Sequence, residues 1–428
     1  MKKRKAIFFR IKKAWSTLGP GLITGASDDD PSGIATYSQA GAKFGLSFLW
    51  TAILTYPLMV SIQKMCARIG LVTSQGLTGI LKRNYPKPVL WLMVLFSFPA
   101  ITLNIGADLA GMGAVANMLV PKFPAFTFSL LFTVIIVVLV IRLSYHKIAA
   151  ILKWLCIALF CYLIVPFLSK PGIKDIIAHT FIPQFKFDKD FLLVLVGILG
   201  TTISPYLFFW QTAMEVEENN QRKLIVDKAI IHDVDKAIIH DMEVDVSWGI
   251  FFSNLVFYFI ILTTGAVLFN AGIHQVDTVD QAALALRPLA GELSYALFAL
   301  GVIGTGFLAV PVLAGSLSYI ISETFNWQEG LDKKFYQAPG FYYVLIFSMG
   351  IALLINFTGL SPVQALIYTA VLYGITAPVL IAIILHISNN KKVMGEYTNS
   401  RLSNLLGLLT FILMSVAAVV LIYLQFKK

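Results

Sequence analysis

The stretch Gly19-Pro20-Gly21-Leu22-Ile23-Thr24-Gly25-Ala26-Ser27-Asp28-Asp29-Asp30-Pro31-Ser32-Gly33 decides the fold. Small and apolar residues lead into three consecutive carboxylates, a proline follows at once, and the apolar character then resumes to about residue 43. Proline lacks an N–H and clashes with the preceding turn, so this reads as one membrane span broken near its middle. A second break of the same kind sits at Gly200-Thr201-Thr202-Ile203-Ser204-Pro205. Each break frees backbone groups at membrane depth, where only protein or a watery cavity can satisfy them. Two ordinary proline kinks are the plain alternative, since Pro is common in membrane helices. The acidic run argues against it, because ionisable residues at that depth are costly and usually functional.

Working outward, the composition demands a bilayer. Of 428 residues, 57% are hydrophobic and 13% charged, about half the charged share of a soluble domain. The mean hydropathy is +0.78. Spans of about 20 apolar residues are predicted near 15–43, 46–69, 88–119, 125–144, 147–169, 191–216, 245–271, 289–323, 341–357, 360–386 and 403–425. The two breaks lie five spans apart, which predicts two five-helix repeats of inverted topology (15–169 and 191–386), each opening on a discontinuous helix, with an eleventh helix at 403–425. Such broken helices point to a midplane binding site in a transporter. The net charge of +10 sits mainly at span ends, where it sets topology rather than recruiting nucleic acid. The basic tail 1–14 and the Lys/Arg bias place the N-terminus in the cytoplasm, as a retained tail of a multi-pass cell-membrane protein. The heptapeptide 227–233 recurs at 235–241. It reads as a tolerated loop duplication, with loop metal binding through His232 and His240 as the weaker alternative.

Charge burial narrows the chemistry. The deep ionisable residues are Asp28, Asp29, Asp30 and Asp108, with no deep Lys or Arg to neutralise them. Adjacent carboxylates repel one another, and a cation relieves that repulsion. Hard oxygen ligands suit Mg²⁺, Mn²⁺ or Ca²⁺. One aspartate can serve as a helix N-cap, but three at that depth are too many for capping alone. Asp108, in Asn104-Ile105-Gly106-Ala107-Asp108, has an interhelical hydrogen bond as its plain alternative. Cys66, Cys156 and Cys161 read as small buried hydrophobes. The six histidines fall in loops or at span ends, and no catalytic or nucleotide motif is present, so an enzyme is disfavoured and no cofactor is expected. A channel or receptor of the same fold is a further alternative. Only the cation substrate and the lipid bilayer are implied as partners, with no obligate protein partner.

At these residues the chain resembles the Nramp metal transporters. The resemblance rests on Gly19-Pro20-Gly21, Asp30-Pro31-Ser32-Gly33, Gln39-Ala40-Gly41, the turn Arg68-Ile69-Gly70-Leu71-Val72-Thr73 and Asp108-Leu109-Ala110. It implies an all-α LeuT-type fold and divalent metal transport. It also implies a metal site at Asp30, Gly33, Thr201 and Ser204, with Asp28, Asp29, Tyr206 and Asp108 as supporting or proton-route residues. The departures carry information. Gly33 stands where the family has an Asn ligand, Ser204 where it has a Met, and Tyr206 where it has a His. Thr201 takes the carbonyl-ligand position, Gly111 replaces a Glu, and span nine lacks the family's arginines. Losing the soft thioether removes a bias toward transition metals. Smaller residues imply a wider site suited to partly hydrated Mg²⁺. The pattern resembles the Nramp-related magnesium transporters, weakly or not proton-coupled. The alternative is a standard proton-coupled Mn²⁺ or Fe²⁺ importer.

Overall fold

The computed structural model describes residues 19–143, 147, 161–169, 171–186, 188–222 and 233–426. The basic tail, Cys156, His146, His232, the first copy of the duplicated heptapeptide up to residue 232 and most of the fifth predicted span lie outside the described residues.

The first break falls where the sequence places it. Helix α1 (Pro20–Asp28) and helix α2 (Pro31–Phe44) are separated by Asp29 and Asp30. Both begin on a proline, which is tolerated at the first helical position because its missing N–H has no partner there anyway. Next come α3 (Leu49–Thr73), the short α4 (Leu77–Asn84), α5 (Lys87–Leu119), α6 (Ala125–Arg142), α7 (Cys161–Ser169) and α8 (Ile173–Phe181). The second break separates α9 (Lys189–Thr202) from α10 (Pro205–Arg222). The chain continues through α11 (Asp233–Thr264), α12 (Ser294–Phe325), α13 (Pro339–Ala352), α14 (Pro362–Asn389) and α15 (Arg401–Phe426). No strand occurs among the described residues. Eight helical segments there are long and apolar enough to cross a membrane. The broken first span divides into pieces of 9 and 14 residues, too short to count singly. Of the fifth, only residue 147 and the nine residues of α7 are described, and polar residues such as Gln63, Lys64 and Arg68 dilute α3. Helices α4 and α8 were not expected as separate elements.

Caps explain several starts. Asp188 accepts from Phe191 N–H at 2.8 Å before α9. Ser361 and Gln364 form a reciprocal capping box before α14, satisfying otherwise orphaned amides.

Small residues bring the broken helices close to their neighbours. A methyl group on Gly25 would overlap the Gly249 carbonyl, so α1 and α11 touch backbone to backbone. A methyl on Gly200 would overlap the Ala370 carbonyl and Gly374, which seats α9 on α14 in the same way. Membrane helices associate through such contacts because lipid tails offer no hydrophobic drive between helices. Large apolar side chains such as Leu95, Phe347 and Leu402 cover the outside, each more than 60% exposed, as a lipid-facing surface requires.

Candidate functional site

The two breaks meet at the centre of the bundle. A Cβ on Gly33 would lie 3.4 Å from Thr201 Oγ1 and 3.5 Å from the Asp28 carbonyl. The hydroxyls of Tyr37 and Thr202 are 3.1 Å apart, joining α2 to α9. Tyr206 donates to the Ser27 carbonyl at 2.8 Å, meeting a backbone acceptor that the first break leaves free. Ser316 on α12 donates to the Tyr206 carbonyl at 3.1 Å, fastening the start of α10 to α12.

The three aspartates, adjacent in sequence, divide between two partners. Asp30 caps α2, accepting from Gly33 N–H at 2.7 Å through Oδ1. Its other oxygen accepts from Asn104 Nδ2 on α5 at 3.0 Å. Asp28 instead accepts from Ser253 on α11 at 2.7 Å, and the same hydroxyl lies 3.4 Å from Asp29 Oδ1. All three are buried. Asp108 is buried one helical turn beyond Asn104, and neither of its oxygens has a hydrogen-bond partner of normal geometry, though the Ser32 backbone N–H lies toward it. Among the described residues, no three His, Cys, Asp or Glu side chains converge as a metal cluster. The run of carboxylates is divided between two neighbouring helices, Asp28 and Asp29 turning to α11 and Asp30 to α5.

The wider site expected from the small residues does not appear in this conformation. The Tyr37 ring, 3.2 Å from a Cβ built on Gly33, and the Thr201 hydroxyl occupy the space beside that residue. The Ser204 hydroxyl folds back onto the Thr201 carbonyl. Of the predicted positions, Asp30, Gly33, Thr201, Ser204 and Tyr206 come together at the two breaks, with Asp108 near Asp30. Asp28 and Asp29 form a separate group with Ser253. Asn104, Ser253 and Tyr373 complete the polar lining. Asn104 had a signal in sequence, a polar residue one turn before Asp108. Ser253 and Tyr373 had none, since each is a common residue in a long apolar helix.

The profile of the Nramp family, described as Natural resistance-associated macrophage protein-like, matches residues 21–424. The chain belongs to the Nramp family. Among its relatives, the divalent metal cation transporter MntH of Caldanaerobacter subterraneus subsp. tengcongensis is 22% identical over 435 residues, covering 99% of this chain and 97% of that protein. The divalent metal cation transporter MntH of Bacillus subtilis is 25% identical over 392 residues, covering 90% and 86%. In three dimensions, an Eremococcus coleocola manganese transporter, solved with an aromatic bis-isothiourea substituted compound, aligns with a TM-score of 0.75 at 19% identity. That alignment covers 94% of this chain and 85% of the other. MhsT in complex with L-phenylalanine aligns at a TM-score of 0.60 and 14% identity, covering 94% and 97%. These likenesses carry the fold: this Nramp protein is all-helical and of the LeuT type. The named Nramp relatives are transporters, not enzymes.

Proposed function

We propose that this Nramp protein moves divalent cations across the cell membrane and favours hard ions, Mg²⁺ and Mn²⁺, with weak or no proton coupling. Its N-terminus is then cytoplasmic, as the distribution of Lys and Arg supports. The relatives named as divalent metal cation transporters support the broad reading. The observation that carries the finer one is the donor set. Asp30, Thr201, Ser204 and Tyr206 offer only oxygen at the two breaks, with no thioether or imidazole among residues 28–33 and 201–206. Oxygen-only sites suit Mg²⁺ and Mn²⁺, and Mg²⁺ retains waters that neighbouring carboxylates can hold.

Asp108 favours a second reading. A buried carboxyl with both oxygens unpartnered could pass a proton, as in a coupled Mn²⁺ or Fe²⁺ importer. The test is initial uptake of Mg²⁺, Mn²⁺ and Fe²⁺ into proteoliposomes, with and without a pH gradient. Saturable Mg²⁺ uptake that ignores the gradient supports the proposal. Uptake restricted to Mn²⁺ and Fe²⁺ and driven by the gradient would return the protein to the coupled class. Asp30→Ala should abolish uptake of every ion while the protein still elutes as a monodisperse peak. Transport at the wild-type rate would remove Asp30 from the site.

A further inference from the structure

Asn104 has one half of its amide engaged and one half idle. Its Nδ2 donates to Asp30 Oδ2 at 3.0 Å, while its Oδ1 is buried without a hydrogen-bond partner. The side chain is fully buried, where an unpaired amide carbonyl is costly. On the same face of α5, one turn on, Asp108 carries two more unpartnered oxygens. The buried Tyr373 hydroxyl on α14 faces Asn104 and is likewise without a partner of normal geometry. Four buried oxygens without a hydrogen bond of normal geometry thus lie on α5 and α14 near Asp30, in a bundle whose other buried hydroxyls mostly find a backbone carbonyl within their own helix, as Thr102, Thr133 and Thr212 do.

We propose that Asn104 is a ligand of the transported cation, turning its amide over so that Oδ1 replaces Nδ2 beside Asp30. This inference rests on the reading of Asp30 as the ion's carboxylate. A cation at Asp30 Oδ2 repels the amide N–H, which removes the reason for the present orientation. A half-turn about the last side-chain torsion exchanges the two ends without moving the helix, and that torsion is broad and nearly two-fold. The spacing fits. Mg²⁺ holds oxygens at about 2.0–2.1 Å in an octahedron, so two adjacent ligand oxygens lie roughly 3.0 Å apart, √2 times that length. That is the present separation of Asn104 Nδ2 and Asp30 Oδ2. The unpaired oxygens of Asp108 and Tyr373 then accept from the waters that Mg²⁺ keeps. Asn104 in this way restores, from α5, the amide oxygen that Gly33 cannot provide from α2.

The test separates a ligand from a mere holder of Asp30. Asn104→Leu removes both amide ends at similar volume; Asn104→Asp keeps an oxygen and loses the N–H. Uptake kinetics of wild type and both variants are measured with Mg²⁺ and with Mn²⁺. Asn104→Leu should raise KM at least about tenfold, the low end for losing a group at a metal site, and Asn104→Asp should recover most of that loss. If Asn104→Asp is as damaged as Asn104→Leu, the N–H was the useful end and the proposal fails. Unchanged KM in Asn104→Leu overturns it as well. Should Asn104→Leu not fold, a Mn²⁺-soaked wild-type structure decides. Anomalous density bonded to both Asp30 and Asn104 supports the proposal, whereas density bonded to Asp30 alone ends it. A protein that carries Mn²⁺ but not Mg²⁺ refutes the ion preference argued above, and the Asn104 comparison is then read with Mn²⁺. Density away from Asp30 refutes both.

Discussion

At the scale of single residues, Asp30 does two jobs with two oxygens. Oδ1 caps α2 through Gly33 N–H and Oδ2 faces Asn104. The cap alone is worth about 1 kcal/mol, so Asp30→Ala should unfold slightly earlier on heating yet lose transport entirely. Asp30→Asn, which can still cap but carries no charge, should keep the melting temperature and lose uptake all the same. Ser204 offers the cleaner probe of ion choice. Its hydroxyl lies against the Thr201 carbonyl, so Ser204→Met would free that carbonyl and add a thioether at the second break. Cd²⁺ and Mn²⁺ uptake should then rise relative to Mg²⁺, because soft donors prefer soft or borderline metals. An unchanged ion profile in competition assays would mean that Ser204 does not face the ion.

At the scale of elements, half-helix α1 is held at both ends by α11. Asp245 accepts from Gly19 N–H at 3.0 Å and from Gly21 N–H at 2.7 Å, filling the orphan amides at its start. Ser253 binds Asp28 at its end. Between them, Gly25 lies directly on Gly249. Gly25→Ala should therefore force the two helices apart and cost about 1–3 kcal/mol, the usual penalty of overpacking. Gly350→Ala is the control. It sits in α13 with nothing within 4 Å of the added methyl, and Ala is the better helix former by about 1 kcal/mol. Thermal unfolding in detergent should show the first variant melting below wild type and the second at or above it. Equal melting of the two would mean that α1 is free to shift away from α11. Helix α4 is fixed in a similar way. The Glu323 carboxylate at the end of α12 accepts from Gly79 N–H at 2.8 Å, and Lys82 donates to the Thr324 carbonyl at 2.6 Å.

At the scale of the whole molecule, one end of the bundle opens into a cavity of about 490 Å³ between α10, α12 and the turn after α12. It is lined by Glu217, Glu323, Glu329 and Asp332, with Lys333 as a basic neighbour. Glu329 lies in the turn beyond α12, where burial first and the nearby Glu323 second push its carboxyl up to about 9. An unfolded glutamate titrates near 4.3, so the folded protein holds a proton there that the unfolded chain gives up. This contribution to stability is complete below about pH 4.3 and declines as pH rises toward 9. Glu329→Gln stays neutral throughout. Its melting temperature should match wild type near pH 4 and exceed it increasingly toward pH 9; parallel curves would mean that Glu329 is solvated and ordinary. Proton coupling is likewise a property of the whole transport cycle. With Tyr206 and Gly111 at two of the family's polar positions, metal entry should not acidify the lumen of proteoliposomes in proportion to uptake, as read by an enclosed pH dye. Proportional acidification that disappears in Asp108→Asn would show that a proton route runs through Asp108.

The sequence alone determined the membrane class, the placement of most of the described spans, both helix breaks and the family. These follow from local quantities, namely runs of apolar residues, proline at fixed positions and carboxylates beside them, which constrain the backbone wherever the rest of the chain lies. The Nramp resemblance also singled out Asp30, Thr201 and Ser204, which lie at the two breaks. Only the tertiary structure decided how the side chains are shared out. Asp28 and Asp29 turn to Ser253 on α11 while Asp30 turns to Asn104 on α5. The space beside Gly33 is occupied by Tyr37 and Thr201. Those outcomes depend on which helix packs on which, at what rotation and how closely, and residues more than 200 positions apart, such as Gly25 and Gly249, set that distance by both lacking a side chain. A linear pattern records that a residue is small or charged, but the neighbour it meets is chosen by packing of the whole bundle.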